Sequence, residues 1–254
     1  KIDSLENFDL SQAMGELYLT GEYFIHLAPR TPVDGTDYWS NVADPDGKIR
    51  HRLLERSQYL SSISAEIKYI ANLKPGAVLD IGCGPGWLLS QLDNRWKRYG
   101  IEPSKQAASV AEEYASIFVG TLEDFVSCKN SFDLVVAYHV IEHIRDPLTA
   151  IKTIHQLLRP GGTLIIGTPD FDSGCARRFG SKFRLLHDAT HISLFSNDSM
   201  HRFLRNHGFR ITSVDYPYFE TPWFTRTNLL RLLNKKTTSP PFYGNFMTFY
   251  CSKI

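Results

Sequence analysis

The stretch Val78-Leu79-Asp80-Ile81-Gly82-Cys83-Gly84-Pro85-Gly86-Trp87 decides the fold. An apolar run typical of a covered strand enters a loop with glycines at 82, 84 and 86, and Gly86–Leu92 then reads as a helix. Glycines let the backbone turn sharply and approach a ligand closely, and a helix N-terminus offers unbonded N–H groups. A purely structural turn would use the same glycines, so the context has to decide. Glu102 ends the next apolar run, 20 residues after Gly82. From there a carboxylate can accept hydrogen bonds from both hydroxyls of a ribose. Strand, glycine loop, helix, strand and acid together specify an adenosine-type ligand at the carboxyl edge of a sheet. A nicotinamide site would show GxGxxG, but Trp87 stands three residues after Gly84. A phosphate-cradling loop would end in Gly-Lys-Ser/Thr, which is absent. A ligand without pyrophosphate is favoured.

Outward from this loop, short apolar runs alternate with helical stretches. Strands are expected at Ala77–Ile81, Arg98–Ile101, Ile117–Val119, Phe132–Ala137 and Thr163–Gly167. Helices are expected at Ser104–Tyr114, Leu122–Val126 and Pro147–Leu158. Strands joined by crossover helices imply an α/β, doubly wound, mostly parallel sheet covered on both faces. Beyond an irregular segment, 168–196, come a helix (Asp198–His207), a strand (Phe209–Tyr216), a helix within Phe219–Pro241 and a last strand, Phe246–Ser252. Residues 1–72 read as a helical extension, with Lys48–Asn72 as one helix on the spacing of Leu53, Leu60, Ile63, Ile67 and Ile70.

The blocks VLDIGCGPG, YGIEPS, GTLEDF, FDLVVAYHVIEH and LLRPGGTLIIGTPD resemble, in order and spacing, the class I S-adenosylmethionine-dependent methyltransferases of the small-molecule, ubiquinone-biosynthesis-like kind. The resemblance runs from about Leu73 to Gly208. It implies a Rossmann-like, seven-stranded sheet whose last strand, NFMTFYCSK, is antiparallel. It also implies S-adenosylmethionine as cofactor, with a methyltransferase domain over 73–254 and substrate-side insertions near 168–196 and 218–244. On that resemblance Asp80, Gly82, Cys83, Gly84 and Gly86 hold the methionine end, and Glu102 binds the ribose with Ile101 and Pro103 beside it. Leu122 and Glu123 frame the adenine. Tyr138 and His139 approach the amino group and the sulfonium, where an aromatic face stabilises a cation by about 0.5–2 kcal/mol.

Methyl transfer to a hydroxyl benefits from a base, whereas an amine needs only to be neutral. His191 and His187 are the leading candidates, because His…Leu-Phe-Ser segments of this family line the substrate side; His139 is the third. The same histidines also serve as pins that fix a loop, as Glu142 and His143 would. A metal on His187, Asp188 and His191 would require a helix to bring the histidines together, and turn residues follow them; no metal is expected. Aromatics of the extension (Tyr18, Tyr23, Phe24, Tyr38, Trp39) would suit a lid over the cofactor, or ordinary core packing.

Composition narrows the partners. The chain has 254 residues with 28 Lys and Arg against 27 Asp and Glu, and it is 43% hydrophobic, enough for a full core. It has no apolar run of transmembrane length and no secretory signature at its start. Cys83, Cys128, Cys175 and Cys251 form no CxxC pair, which points to a reducing, cytoplasmic setting. From Gly174 to Lys236 there are 11 Lys and Arg against 4 Asp and Glu, a surplus of +7 that leaves −6 for the rest. Such a basic stretch is either a solvated face or a surface for an anionic small-molecule acceptor. Nucleic acid is not expected, since no basic stripe interleaved with aromatics appears. Segment Trp223–Lys236 is imperfectly amphipathic, with Arg226 inside the apolar arc and Leu232 opposite. It suits a membrane-surface helix, a substrate lid or a dimer contact.

Overall fold

A computed structural model of the chain describes residues 8–27, 39, 41–43, 47, 49–125 and 129–254. The N-terminal part carries α1 (Leu10–Thr20), β1 (Ile25–His26), β2 (Asn41–Ala43), β3 (Ile49–His51), α2 (Arg56–Ser62) and α3 (Ser64–Ala71). The central part follows with β4 (Ala77–Ile81), β5 (Lys97–Glu102), α4 (Lys105–Ala111), β6 (Ser116–Val119), β7 (Phe132–Tyr138), α5 (Pro147–Leu157) and β8 (Leu158–Pro169). The remainder consists of α6 (Gly174–Phe179), β9 (Ser193–Leu194), α7 (Asn197–Asn206), β10 (Phe209–Asp215), α8 (Arg226–Arg231) and β11 (Phe246–Lys253).

Seven strands form one sheet in the order β10-β11-β8-β7-β4-β5-β6. β4 pairs in parallel with both β5 and β7, so the chain runs outward to β6 and then returns to the other side of β4. That reversal is the switch point at which α/β sheets bind ligands beyond their carboxyl ends. β11 lies antiparallel between β8 and β10, as expected. Its side chains explain why it is covered on both faces. Met247, Phe249 and Cys251 enter one core layer with Ile151, Ile154 and Phe203, while Tyr250 enters the other with Ile63 and Ile70. β4 divides in the same way, Leu79 and Ile81 to the first layer and Val78 to the second. A period of two with apolar residues on both faces is what a doubly covered strand requires.

Local chemistry sets the helix ends. The Asp9 carboxylate accepts the Ser11 and Gln12 amides at 3.0 and 3.1 Å, and Gly21, at φ 72°, ends α1. Asp146 caps α5 through the Thr149 amide at 3.0 Å, with Pro147 in the first turn. α7 opens on a reciprocal Ser196–Ser199 box.

Several expected elements take another form. Lys48 lies outside the described residues, and the rest of the expected helix from Lys48 to Asn72 is β3, a 3₁₀ turn and two helices broken at Ile63. Gly86–Leu92 forms a single helical turn, closed by the Ser90 amide on the Gly86 carbonyl, before 3₁₀ geometry and an extended Leu92. Six or seven residues carry little more than the costly nucleus, and the Ser90 hydroxyl bonds the Trp87 carbonyl at 2.7 Å instead of solvent. The expected helix from Leu122 is only turns, tied by the Thr121 hydroxyl to Asp124 at 2.8 Å; Val126 falls outside the described residues, as does Cys128. The extension is also not purely helical, since β1 pairs with β9 of the 168–196 segment. That segment itself contains α6 and two 3₁₀ turns.

Candidate active site

The loop after β4 has left-handed φ angles at all three of its glycines: 67° at Gly82, 53° at Gly84 and 71° at Gly86. A Cβ at Gly84 would strike the Trp39 indole, and one at Gly86 would sit 3.0 Å from Ala111 Cα. The loop amides turn toward β5. Gly82 and Cys83 donate to the Ile101 carbonyl at 2.8 and 3.0 Å, and Gly84 donates to Glu102 Oε2 at 2.9 Å. The other Glu102 oxygen accepts the Ser104 amide at 2.8 Å. The Trp39 side chain also hydrogen-bonds this carboxylate. Burial raises the Glu102 pKa, and the amides of Ser104 and Gly84 work against that rise. Asp80 lies deeper, at 3% exposure, where burial and then the charge of Glu102 push it up to about 8. Burial also lifts the Cys83 thiol far above its ordinary range, so Cys83 packs as a small apolar group.

A cavity of about 590 Å³ opens along the carboxyl ends of β4, β5 and β7. Such a volume is typical of small-molecule sites. Gly82, Cys83, Glu102 and Pro103 line one end of it, with Leu122 and Glu123 beyond the third parallel strand and Tyr138 and His139 after β7. Of the residues expected at the cofactor, Gly82, Cys83, Glu102, Pro103, Leu122, Glu123, Tyr138 and His139 line this one space, whereas Asp80, Gly84 and Gly86 do not.

His139 is strained. It has φ 57° without being glycine, a conformation kept only where its surroundings over-determine it. Its amide donates to the Gly167 carbonyl at 2.9 Å, and its ring lies edge-on to Tyr138 and Phe246 at 4.4 and 4.6 Å between centroids. Its Nδ1 lies 3.2 Å from Glu142 Oε1, and Glu142 Oε2 accepts the Thr168 hydroxyl at 3.1 Å. Burial alone would raise the Glu142 pKa. The His139 hydrogen bond and the neighbouring imidazoles reverse that, holding it at about 2, so Glu142 is a carboxylate.

The far end of the cavity is built by His143 and His191. His143 Nδ1 donates to the Thr190 carbonyl at 3.0 Å and His191 Nδ1 to the Leu185 carbonyl at 2.6 Å. Each bond places a proton on Nδ1. The rings are tilted at 54° with centroids 4.9 Å apart, and burial lowers the His143 pKa to about 4. Asp188 Oδ2 is 3.8 Å from His191 Nε2. Among the described residues, Glu142, His143 and His191 each place a ligand-type atom within 4.8 Å of the others, a set from which a divalent cation can be held after small side-chain adjustments. His187 lies elsewhere. Its Nε2 donates to the Ser181 carbonyl at 2.8 Å, and it faces a second hollow with Lys182 and Arg231.

Several cavity residues carry no sequence pattern. Trp223 lines the cavity, with Arg50 5.3 Å above its ring, and Arg52 and Arg145 line it as well. Trp39 does cover the glycine loop, packed edge-on against Trp87 at 5.8 Å. The other lid aromatics do not: Tyr18 is 69% exposed, Tyr23 packs on Phe203 and Phe24 on Phe195, and Tyr38 lies outside the described residues. Trp223 precedes the short α8, so it does not share one helical face with Leu229, Leu230 and Leu233.

Residues 50–214 match the methyltransferase-domain family. The chain is 33% identical over 171 residues to an uncharacterized 37.1 kDa protein of transposon TN4556 from Streptomyces fradiae, covering 61% of this chain and 44% of that one. It is 33% identical over 110 residues to a ubiquinone biosynthesis O-methyltransferase from Alkalilimnicola ehrlichii, covering 39% and 44%. It is 30% identical over 133 residues to a malonyl-[acyl-carrier protein] O-methyltransferase from Halalkalibacterium halodurans, covering 48% and 46%. The matches therefore span less than half the length of these curated relatives. The fold is shared with an S-adenosylmethionine-dependent methyltransferase from Thermotoga maritima at a TM-score of 0.60 and 23% identity, over 80% of this chain and 95% of that one. With the glycine loop, the acid after the second parallel strand and the antiparallel last strand all in place, the chain belongs to the class I S-adenosylmethionine-dependent methyltransferases.

Proposed function

We propose that the protein transfers a methyl group from S-adenosylmethionine to an oxygen or nitrogen of a small metabolite. A sugar or glycan component or a natural-product intermediate with an anionic group is the favoured class. The observation that carries this reading is one cavity bordered by the glycine loop and Glu102 at one end and by Glu142, His143 and His191 at the other. Two relatives named as O-methyltransferases support oxygen as the acceptor atom.

When bound, the cofactor supplies a methyl group on a sulfonium, an electrophile that needs no further activation. The chain's task is then to align a nucleophile and exclude water. Glu102 anchors the ribose and Tyr138 and His139 wall the sulfonium side. His191, held through Nδ1 by the Leu185 carbonyl, would take the proton of an acceptor hydroxyl on Nε2. Arg52 and Arg145 in the cavity lining suit a carboxylate or phosphate of the acceptor.

The test is formation of S-adenosylhomocysteine by the purified protein with a panel of hydroxylated and aminated acids, sugars and phosphates, followed by mass spectrometry. Methylated product from an anionic acceptor is expected. Tight cofactor binding without turnover on any member of the panel would instead favour a cofactor-binding protein without catalysis.

A further inference from the structure

The second hollow, about 890 Å³, lies outside the cofactor cavity, between the turn after α6 and the loop that follows α8. Lys182, Arg231 and Lys236 line it together with Thr227, Asn234 and Thr238, and no carboxylate is among the described residues that line it. Two of its cations are held by backbone carbonyls. Lys182 Nζ donates to the Lys236 carbonyl at 2.6 Å, and Arg231 donates to the Thr238 carbonyl at 3.1 Å. Arg178 donates to the Leu232 carbonyl of the same loop at 2.8 Å. A hydrogen bond to a neutral carbonyl orients a cation and leaves its charge intact, so Lys182, with the exposed Lys236 beside it, keeps a local positive potential. Hydroxyl and amide side chains between the cations add neutral donors. This is a lining for a multiply charged oxyanion, which takes charge-assisted bonds from Arg and Lys and further bonds from hydroxyls.

One turn of chain separates the hollow from the cofactor cavity. Within Arg184–His187, Leu185 lines the cavity and His187 lines the hollow. We infer that the hollow is a binding site for a phosphate or diphosphate group, carried by the methyl acceptor or by the molecule to which it is attached. The second half of that statement rests on the proposed methyl transfer; the oxyanion site itself does not. It also gives the +7 surplus of 174–236 a use, and it gives His187 a place at an anion's edge rather than at the reacting atoms. Leu230 and Leu233, 60% and 75% exposed beside the cations, leave two sources for the group: a soluble phosphorylated compound or a phospholipid headgroup.

Calorimetric titration of the full chain with pyrophosphate at low ionic strength tests the site. We expect one saturable site per chain, weakened roughly five- to tenfold by Lys236→Glu and by Arg231→Gln, and weakened by added salt. S-adenosylhomocysteine affinity should be unchanged in both variants, which also reports that they fold. Lys236 is exposed, so its variant remains informative if Arg231→Gln is unstable. A parallel flotation assay compares phosphatidylglycerol with phosphatidylcholine vesicles. Binding to the anionic vesicles that pyrophosphate displaces assigns the site to headgroups; pyrophosphate binding alone assigns it to a soluble phosphate. No saturable binding of either up to ~10 mM, or equal affinity in wild type and both variants, overturns the inference.

Discussion

Glu102 Oε2 accepts the Gly84 amide at 2.9 Å, so the acid at the end of the second parallel strand and the loop after the first form one rigid unit. On the proposed reading the same carboxylate has two tasks, fixing the loop and receiving the ribose. Glu102→Ala is expected to weaken S-adenosylhomocysteine binding by about 1–3 kcal/mol, the cost of losing charge-assisted hydrogen bonds. Glu102→Gln, which keeps an acceptor for Gly84, should lose less. Calorimetry on both variants checks this, and equal losses would mean that the effect comes from charge and not from the loop contact.

Gly84→Ala tests the loop itself. The position has φ 53°, and a new Cβ meets the rigid Trp39 indole. The backbone conformation alone costs about 1 kcal/mol for a residue with a Cβ. Moving Trp39 adds to that and opens the cover over the loop. Cofactor affinity should therefore fall by at least tenfold, with a smaller drop in melting temperature. Trp39→Ala in the Gly84→Ala background should restore part of the loss, and an unchanged affinity in the double variant would show that the indole is not what the Cβ strikes.

Acid should loosen the cavity's far end in a defined window. Burial lowers the folded-state pKa of His143 from 6.5 to about 4, so between those values the unfolded chain binds a proton that the folded chain does not. Stability from this group is present above pH 6.5 and is lost as pH falls toward 4, at up to about 1.4 kcal/mol per pH unit. Asp80 acts oppositely: raised from 3.8 to about 8, it favours the folded state at low pH and loses that contribution as pH rises through 8. Urea unfolding at several pH values should show a shallower acid-side slope in His143→Gln than in wild type, and identical slopes would exclude His143 as the source.

The loop at 82–86 and the acid at 102 were legible because a ligand that lies against backbone amides demands a fixed local order of residues. β11 was legible because a doubly covered strand must be apolar on both faces. What escaped was of another kind. Glu142 joins Thr168 and, through the cluster, His191, residues dozens of positions further along the chain, and no periodicity encodes which of them converge. Trp223 and Arg50 meet through irregular segments whose path is set by packing. His187 and His191 share one short motif, yet a 3₁₀ turn sends them to different hollows. The break at Ile63 and the aborted helix after Gly86 are tertiary overrides of a pattern that was locally helical.

On the proposed methyl transfer, the two cavity histidines His139 and His191 have separable tasks. His139 is held by Glu142 and by two aromatic rings in a left-handed backbone conformation, and it borders the cofactor end. His191 is 5% exposed, keeps Nδ1 on the Leu185 carbonyl and belongs to the far end, beside Asp188 and His143. For a hydroxyl acceptor, removal of a general base lowers turnover by about 10²–10⁴-fold. His191→Ala should therefore reduce kcat at least a hundredfold while cofactor affinity stays within about twofold of wild type. His139→Ala should lower cofactor affinity as well, because it removes the wall beside the sulfonium and the partner that holds Glu142. Cofactor titrations and initial rates with the acceptor identified from the panel separate the two. If His191→Ala turns over at nearly the wild-type rate, His191 only pins the loop to Leu185, and the acceptor is an amine whose alignment alone suffices. If its activity and cofactor affinity fall in parallel, the far end supports the cofactor pocket, and the proton passes to another group.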